Sequence, residues 1–168
     1  EHNIFPIIEL KWASGINNND MSWFPKLYAL IQKHDMVDKA YILTSMQKSL
    51  EYVRTNYPAL QCQFLCYEVT EARYEWCKKW GINPSVQTGG LTKAMARKCH
   101  DAGMEVVCWT VNSASDYQKH GELGCTTMTC DYLVPADMPE LEDIDWEALS
   151  PTPPLDNLYV TPLFNFSE

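Results

Sequence analysis

Six short apolar segments alternate with five amphipathic stretches along the 168 residues, and this alternation predicts an α/β fold with a parallel sheet. Two further observations favour a (β/α) barrel over a doubly wound open sheet. No glycine-rich phosphate turn follows the first apolar segment, as an open nucleotide-binding sheet normally shows. Polar residues collect instead at the C-terminal ends of the segments, at Glu9, Lys11, Ser45, Gln63, Gln87, Asn112 and Asp131, where barrels place their functional groups. A complete TIM-type barrel needs about 250 residues and eight βα units. This chain has room for about six, so the expected fold is a barrel that is apparently incomplete.

The first strand is "FPIIELKW", residues 5–12. Ile7, Glu9 and Lys11 alternate with Ile8 and Leu10, so they point to one side of a pleated strand. In a run that otherwise reads as buried, Glu9 and Lys11 are costly unless paired or bound to a metal. The other strands are "AYILTS", "CQFLCYE", "PSVQT", "EVVCWTV" and "TTMTCDYL". The first helix is expected over residues 22–33, with Pro25 acceptable in its first turn. The second runs over about 46–56 and stops before Pro58. The third, near 71–80, ends at Gly81. The fourth, "LTKAMARKCHDAG", has Thr92 as its cap and ends at Gly103. The fifth opens with "NSASDY", where Ser113 caps and Asp116 stands at the third helical position, close to a capping box.

After residue 134 the composition changes. Residues 135–168 hold six of the ten prolines and much of the acidity, and they read as an acidic Pro-rich extension or linker beside a barrel over 1–134. The end of this stretch, "NLYVTPLFNF", is apolar enough to pack on something.

Apolar content of 46% and charged content of 21% fit an ordinary soluble globular protein. No apolar run approaches the ~18–20 residues of a membrane helix. A net charge of -9 argues against a nucleic-acid partner, because phosphate repulsion meets no basic patch. The seven cysteines form no CxxC pair and several lie inside apolar runs. They read as small buried thiols, which favours a cytoplasmic or otherwise reducing setting. The chain opens at Glu1 almost directly on a strand, as expected of a processed chain or of a piece of something longer.

The strongest local pattern is "GMEVVCWTVNSASDYQKHGELGCTTMTCDYL", residues 103–133. It resembles the last two βα units of glycerophosphodiester phosphodiesterases, in which a strand ending Trp-Thr-Val-Asn leads through a short helix and a Leu-Gly turn to a strand ending Thr-Asp. The matching residues are Trp109, Thr110, Val111 and Asn112, then Leu123 and Gly124, then Asp131, with Cys130 in place of the usual threonine. "YILTSMQKSLEYVRTNYPALQCQFL" resembles an earlier strand, helix and strand of that family, and "IIELK" resembles its Glu-x-Lys strand. The resemblance covers residues 5–134 and corresponds to strands three to eight of that barrel.

The resemblance implies metal-dependent hydrolysis of glycerophosphodiesters to glycerol 3-phosphate and an alcohol, with a place in lipid metabolism. It implies Glu9 as a ligand of a divalent cation, Ca²⁺ or Mg²⁺, both of which prefer oxygen donors. Lys11 would face the substrate phosphate, and Trp109 would form an apolar wall at the mouth. Negative charge grows on the phosphoryl oxygens in the transition state, which is why a cation and a lysine belong there.

Other residues read more plainly. Ser45 and Gln63 either line the mouth or are solvated. Asn112 reads as a helix or turn cap, and Asp131 as a cap or turn residue rather than a ligand. His34, His100 and His120 are expected on helices, facing out or half out, and His2 lies too near the start to place. The six tryptophans read as core or rim packing.

The family's catalytic histidines, the first of them in a His-Arg-Gly turn, and its early Glu-x-Asp have no counterpart in this sequence. The catalytic residues are therefore unknown within the chain, and alone it is expected to be inactive by that mechanism. Three readings stand: the C-terminal part of a phosphodiesterase barrel, a catalytically inactive remnant with a binding or structural role in a larger assembly, or another phosphate-handling barrel. An open sheet has two edges to cover, so another chain or segment completing the barrel is an expected partner.

Overall fold

The computed structural model describes residues 5–133, 138–141 and 146. His2 and almost all of the extension expected over 135–168 lie outside the described residues.

The elements alternate as expected: β1 (Ile7–Glu9), α1 (Phe24–Lys33), β2 (Tyr41–Thr44), α2 (Gln47–Asn56), β3 (Gln61–Cys66), α3 (Glu71–Trp80), β4 (Asn83–Gln87), α4 (Lys93–Asp101), β5 (Val107–Trp109), α5 (Ala114–Glu122) and β6 (Thr127–Met128). All six strands are parallel, and each pairs with its neighbours in sequence, in the order β1-β2-β3-β4-β5-β6. A doubly wound sheet would reverse its order at a switch point; this one does not. Ile7 of β1 and Thr127 of β6 line one cavity of about 310 Å³ with Tyr41 and Gln63. The sheet therefore curls, and six consecutive strands of a TIM-type barrel result, with the five helices that connect them. β1 and β6 are its edges.

Alternation along the strands separates two faces. Ile42, Cys62, Phe64, Val86 and Cys108 join Phe24, Leu50, Val53, Tyr74, Cys77, Ala96 and Cys99 of the helices in one buried core. That layer holds most of the cysteines: all seven are free thiols, and six are buried. Burial pushes the Cys62 and Cys77 thiols up to about 12 and those of Cys66 and Cys99 up to about 11. The thiol of Cys125 is raised too, first by its hydrogen bond with Cys108 and then by burial.

The helix ends follow local chemistry. Thr70, Thr92 and Ser113 accept hydrogen bonds from the backbone N–H groups of Arg73, Met95 and Asp116, three residues on in each case. Pro25 occupies the first turn of α1. Gly81 closes α3 with φ of 61°, a left-handed conformation that favours glycine. Arg54 of α2 donates to the carbonyls of Trp80, Pro58 and Leu60 at 3.1, 2.8 and 3.0 Å, tying α2 to the end of α3 and to the entry of β3.

Trp146 packs back on the barrel. Its ring stacks on His100 of α4, with centroids 3.8 Å apart and planes 15° apart, and its carbonyl accepts a hydrogen bond from Arg97. No helix among the described residues is long and apolar enough to cross a membrane.

Candidate functional site

The barrel mouth is built from strand ends. Pairing of β1 with β2 sets Glu9 opposite Leu43, and the strand is pinned one residue further on. Leu10 N–H donates to the Leu43 carbonyl at 2.8 Å, while the buried Thr44 hydroxyl donates to the Leu10 carbonyl at 2.7 Å. Leu10 is buried and points to the helical layer, so Glu9 and Lys11 on either side of it point to the mouth. Their charged atoms meet at 2.9 Å, and the Lys11 and Glu9 side chains are 77% and 35% exposed. The buried charges expected from the sequence are thus not buried. They stand where β1 ends, and water lowers their desolvation cost.

Glu9 and Lys11 open onto a cavity of about 270 Å³, also lined by Asn17, Asp20, Trp23 and Met46. The loop from β1 to α1 holds this wall by its own polar contacts. Asn18 brackets Ala13 with two 2.8 Å hydrogen bonds, and the Trp23 indole donates to the Asp20 carbonyl at 2.9 Å. The Ser22 N–H donates to the Asp20 carboxylate at 2.9 Å and holds its pKa below the ordinary carboxylate value. Asp20 is therefore anionic at neutral pH.

Among the described residues, no group of three His, Cys, Asp or Glu side chains could by itself hold a metal ion. Calcium takes ~6–8 oxygen ligands. Glu9 and the nearby Asp20 supply the right donor type for a hard cation, but not a full shell. Ligands beyond them would have to come from water, from a substrate phosphate or from residues outside those described.

A second cavity, of about 240 Å³, is lined by Ser45, Leu65, Tyr67, Arg73 and Trp109 among others. Ser45 lines this cavity and Met46 the first, so consecutive residues just past the end of β2 border the two. Trp109 ends β5; its indole N–H donates to the Ser85 carbonyl at 3.0 Å, and its ring meets Tyr67 at 5.9 Å and 59°. Arg73 donates to the Glu68 carbonyl at 2.9 Å and lies 3.5 Å from the Glu68 carboxylate.

The loop after β4 buttresses this second cavity. Thr88 N–H donates to the Trp109 carbonyl at 2.8 Å, Gly90 N–H to Gln87 at 2.8 Å, and Val69 N–H to Gly90 at 3.1 Å. From behind, the ring of His120 reaches the Thr88 carbonyl at 2.9 Å through Nε2 and the Asp116 carbonyl at 2.7 Å through Nδ1.

The remaining candidates divide. Ser45 and Gln87 are exposed at strand ends, as expected. Gln63 is not at the mouth: it sits inside β3, 2% exposed, on the concave face of the barrel. Asn112 does not cap α5, because Ser113 does. Its side-chain amide and Asp131 instead make a reciprocal pair, both bonds at 2.9 Å, that ties the end of β5 to the end of β6. His34 and His100 are exposed, but His120, expected to face out or half out, is 1% exposed and wedged against the loop after β4. No histidine among the described residues lines the Glu9–Lys11 cavity. The sequence reading passed over Tyr67, Arg73 and Asp20. Tyr67 could have been found, since it follows Leu65 by two residues, just past the end of β3.

Comparison with known proteins gives one consistent family. A sequence model of the glycerophosphoryl diester phosphodiesterase family matches residues 3–134. No curated protein matches the chain in sequence. Among solved structures, a glycerophosphodiester phosphodiesterase from Parabacteroides distasonis superposes with a TM-score of 0.64 at 16% identity, over 77% of this chain and 54% of that one. A phosphodiesterase from Oleispira antarctica, solved with the product sn-glycerol-3-phosphate, gives 0.66 at 15% identity, over 77% and 52%. A Galdieria sulphuraria protein proposed to be a glycerophosphodiester phosphodiesterase gives 0.67 at 18% identity, over 79% and 55%. Identities this low carry the fold and no residue roles. The chain spans about half the length of the structures it matches.

Proposed function

The chain belongs to the glycerophosphoryl diester phosphodiesterase family, and from that premise we propose that it carries the metal- and phosphate-binding part of a glycerophosphodiester hydrolase. The complete barrel would release glycerol 3-phosphate and an alcohol. One observation carries the reading: Glu9 and Lys11 stand side by side, half-open to solvent, at the strand end that forms the mouth of a family barrel.

An exposed ion pair of this kind is worth only ~0–1 kcal/mol. A divalent cation and a phosphate can therefore replace the internal contact at little cost, the carboxylate turning to the cation and the ammonium to a phosphoryl oxygen. Glu9 would ligate Ca²⁺ or Mg²⁺, whose contribution is to stabilise charge growing on the phosphoryl oxygens. Lys11 would hold one of those oxygens as a point charge. Trp109 would wall the substrate on its apolar side. Water attacks phosphorus and the bond to the leaving alcohol breaks, so a base must take the water proton and an acid must protonate the alcohol. Among the described residues the Glu9–Lys11 cavity offers no histidine for either role; in this reading the remaining βα units of the complete barrel supply them.

That same observation supports a second reading, a barrel that binds phosphodiesters without cleaving them. The seven free thiols support a reducing compartment for either.

The site is tested by titrating sn-glycerol 3-phosphate into the full-length protein with Mg²⁺ or Ca²⁺ present. Losing one charge-assisted contact of ~1.5–3 kcal/mol weakens binding about ten- to a hundredfold, which is the loss expected for Lys11→Ala. Unchanged affinity in that variant would remove Lys11 from the phosphate site.

A further inference from the structure

We propose that the cavity between Ser45, Leu65, Tyr67, Arg73 and Trp109 receives the alcohol part of the substrate, and that it selects an uncharged polyol over a cationic alcohol such as choline or ethanolamine. The proposal rests on the reading of Glu9 and Lys11 as the phosphate site, whose cavity and this one are bordered by the consecutive residues Met46 and Ser45.

Size is the first constraint. A volume of about 240 Å³ falls below the ~300–1,000 Å³ of pockets that bury drug-sized ligands. That leaves room for a small alcohol and not for a long acyl chain.

Charge is the second. Among the described residues, Arg73 is the one ionisable side chain of the lining apart from Tyr67 and Cys66, and no carboxylate lines the cavity. Arg73 is not free to swing away, because the Glu68 carbonyl and carboxylate hold it at 2.9 and 3.5 Å. A cationic alcohol entering here meets a fixed guanidinium, while the Glu68 carboxylate that pairs with it stands outside the lining.

Aromatic faces could in principle offset this, since cations are attracted to Trp and Tyr rings. Here Tyr67 and Trp109 lean on each other, 5.9 Å apart at 59°. That contact leaves no gap between the rings in which an ammonium could sit. What the pair offers instead is a continuous apolar wall, 71% exposed at Tyr67. The indole N–H is already committed to the Ser85 carbonyl, so Trp109 presents ring surface and no donor. A polyol matches such a lining. Its C–H face can lie on the rings while its hydroxyls reach the Ser45 hydroxyl and the Arg73 guanidinium, the polar groups of the same cavity.

The test is a titration of the full-length protein with three probes in the presence of Ca²⁺: sn-glycerol 3-phosphate, glycerophosphoinositol and glycerophosphocholine. The Trp109 indole N–H resonance reports on the cavity, and its assignment comes from Trp109→Phe. Glycerophosphoinositol is expected to move that resonance and to bind about tenfold tighter than glycerophosphocholine, a ratio that corresponds to ~1.4 kcal/mol. In Arg73→Glu the order should invert. If sn-glycerol 3-phosphate binds and the two diesters bind equally, or if the order survives Arg73→Glu, the polyol preference is overturned while the phosphate site stands. If none of the three binds, the reading of Glu9 and Lys11 fails and takes this proposal with it.

Discussion

Gly90→Ala should be among the most damaging single-methyl changes in the barrel. A Cβ at position 90 falls 1.8 Å from the Tyr67 carbonyl oxygen and 2.7 Å from the Cα of Glu68. Both obstacles are backbone, so no side chain can swing aside. Ordinary non-bonded contact lies near ~3.5 Å, so one strand or the loop must retreat by roughly 1.5 Å. Retreat strains two hydrogen bonds, Gly90 N–H to Gln87 at 2.8 Å and Val69 N–H to Gly90 at 3.1 Å. At about 1 kcal/mol each, with ~1–3 kcal/mol for overpacking, the expected loss is roughly 3–5 kcal/mol, a large share of the ~5–15 kcal/mol of a typical domain. Gly89→Ala is the control. Nothing lies within 4 Å of its Cβ, and its φ is outside the left-handed region. It should be neutral, or gain about 0.4–1 kcal/mol from a less flexible unfolded chain. Urea unfolding reads both as a shift in midpoint at constant slope. A Gly90→Ala protein within ~0.5 kcal/mol of Gly89→Ala would refute the close approach of the loop to β3.

Other consequences are as direct. With Cys62, Cys66, Cys77 and Cys99 buried and held up at about 11 to 12, a thiol-disulfide reagent at pH 8 should label only Cys130 in the native protein, and all seven cysteines in denaturant; mass spectrometry counts the labels, and rapid native labelling of Cys77 would contradict the core. His120→Leu removes the imidazole that bridges the Thr88 and Asp116 carbonyls, and losing a buried ring hydrogen bond costs ~1–3 kcal/mol. Urea unfolding should show that loss, and hydrogen exchange should quicken first at the amides of residues 88–90. The pKa of Asp20 is lowered by the Ser22 N–H, so its hold on the loop after β1 is present above the ordinary carboxylate value of 3.8 and fades as pH falls through the folded one. Exchange at the Ser22 amide should rise in acid over that window, and a flat profile would remove the contact.

The sequence reading located elements well where a local rule acts alone. Gly81 closed α3 at the expected residue, and the spacing of Ser113 and Asp116 marked the start of α5. Strand lengths were less legible: "FPIIELKW" yields only Ile7–Glu9 in β1, because ladder extent depends on the neighbouring strand and not on hydrophobicity. Gln63 and His120 show the limit for side chains. Gln63 looked like a mouth residue, but a barrel buries both faces of its sheet, so its polar position in β3 lies inside. His120 sits three residues after Tyr117 and four before Gly124, on the stripe of α5 that faces inward, and its polarity disguised that position. Its partner, the Thr88 carbonyl, is 32 residues away and has no sequence signal. Glu9 and Lys11 were recognisable as a pair from their spacing and their setting, yet their exposure depended on where β1 stops.

The central claim, that Glu9 belongs to the metal and phosphate site of a glycerophosphodiester hydrolase, meets its most direct test in one assay. The full-length protein is incubated with a glycerophosphodiester, with and without a divalent-cation chelator, and released sn-glycerol 3-phosphate is measured for the wild type and for Glu9→Ala. The expected result is release that stops on chelation and is lost in Glu9→Ala, with an unchanged circular dichroism spectrum and melting curve. A Glu9→Ala protein that releases product at the wild-type rate would contradict the account.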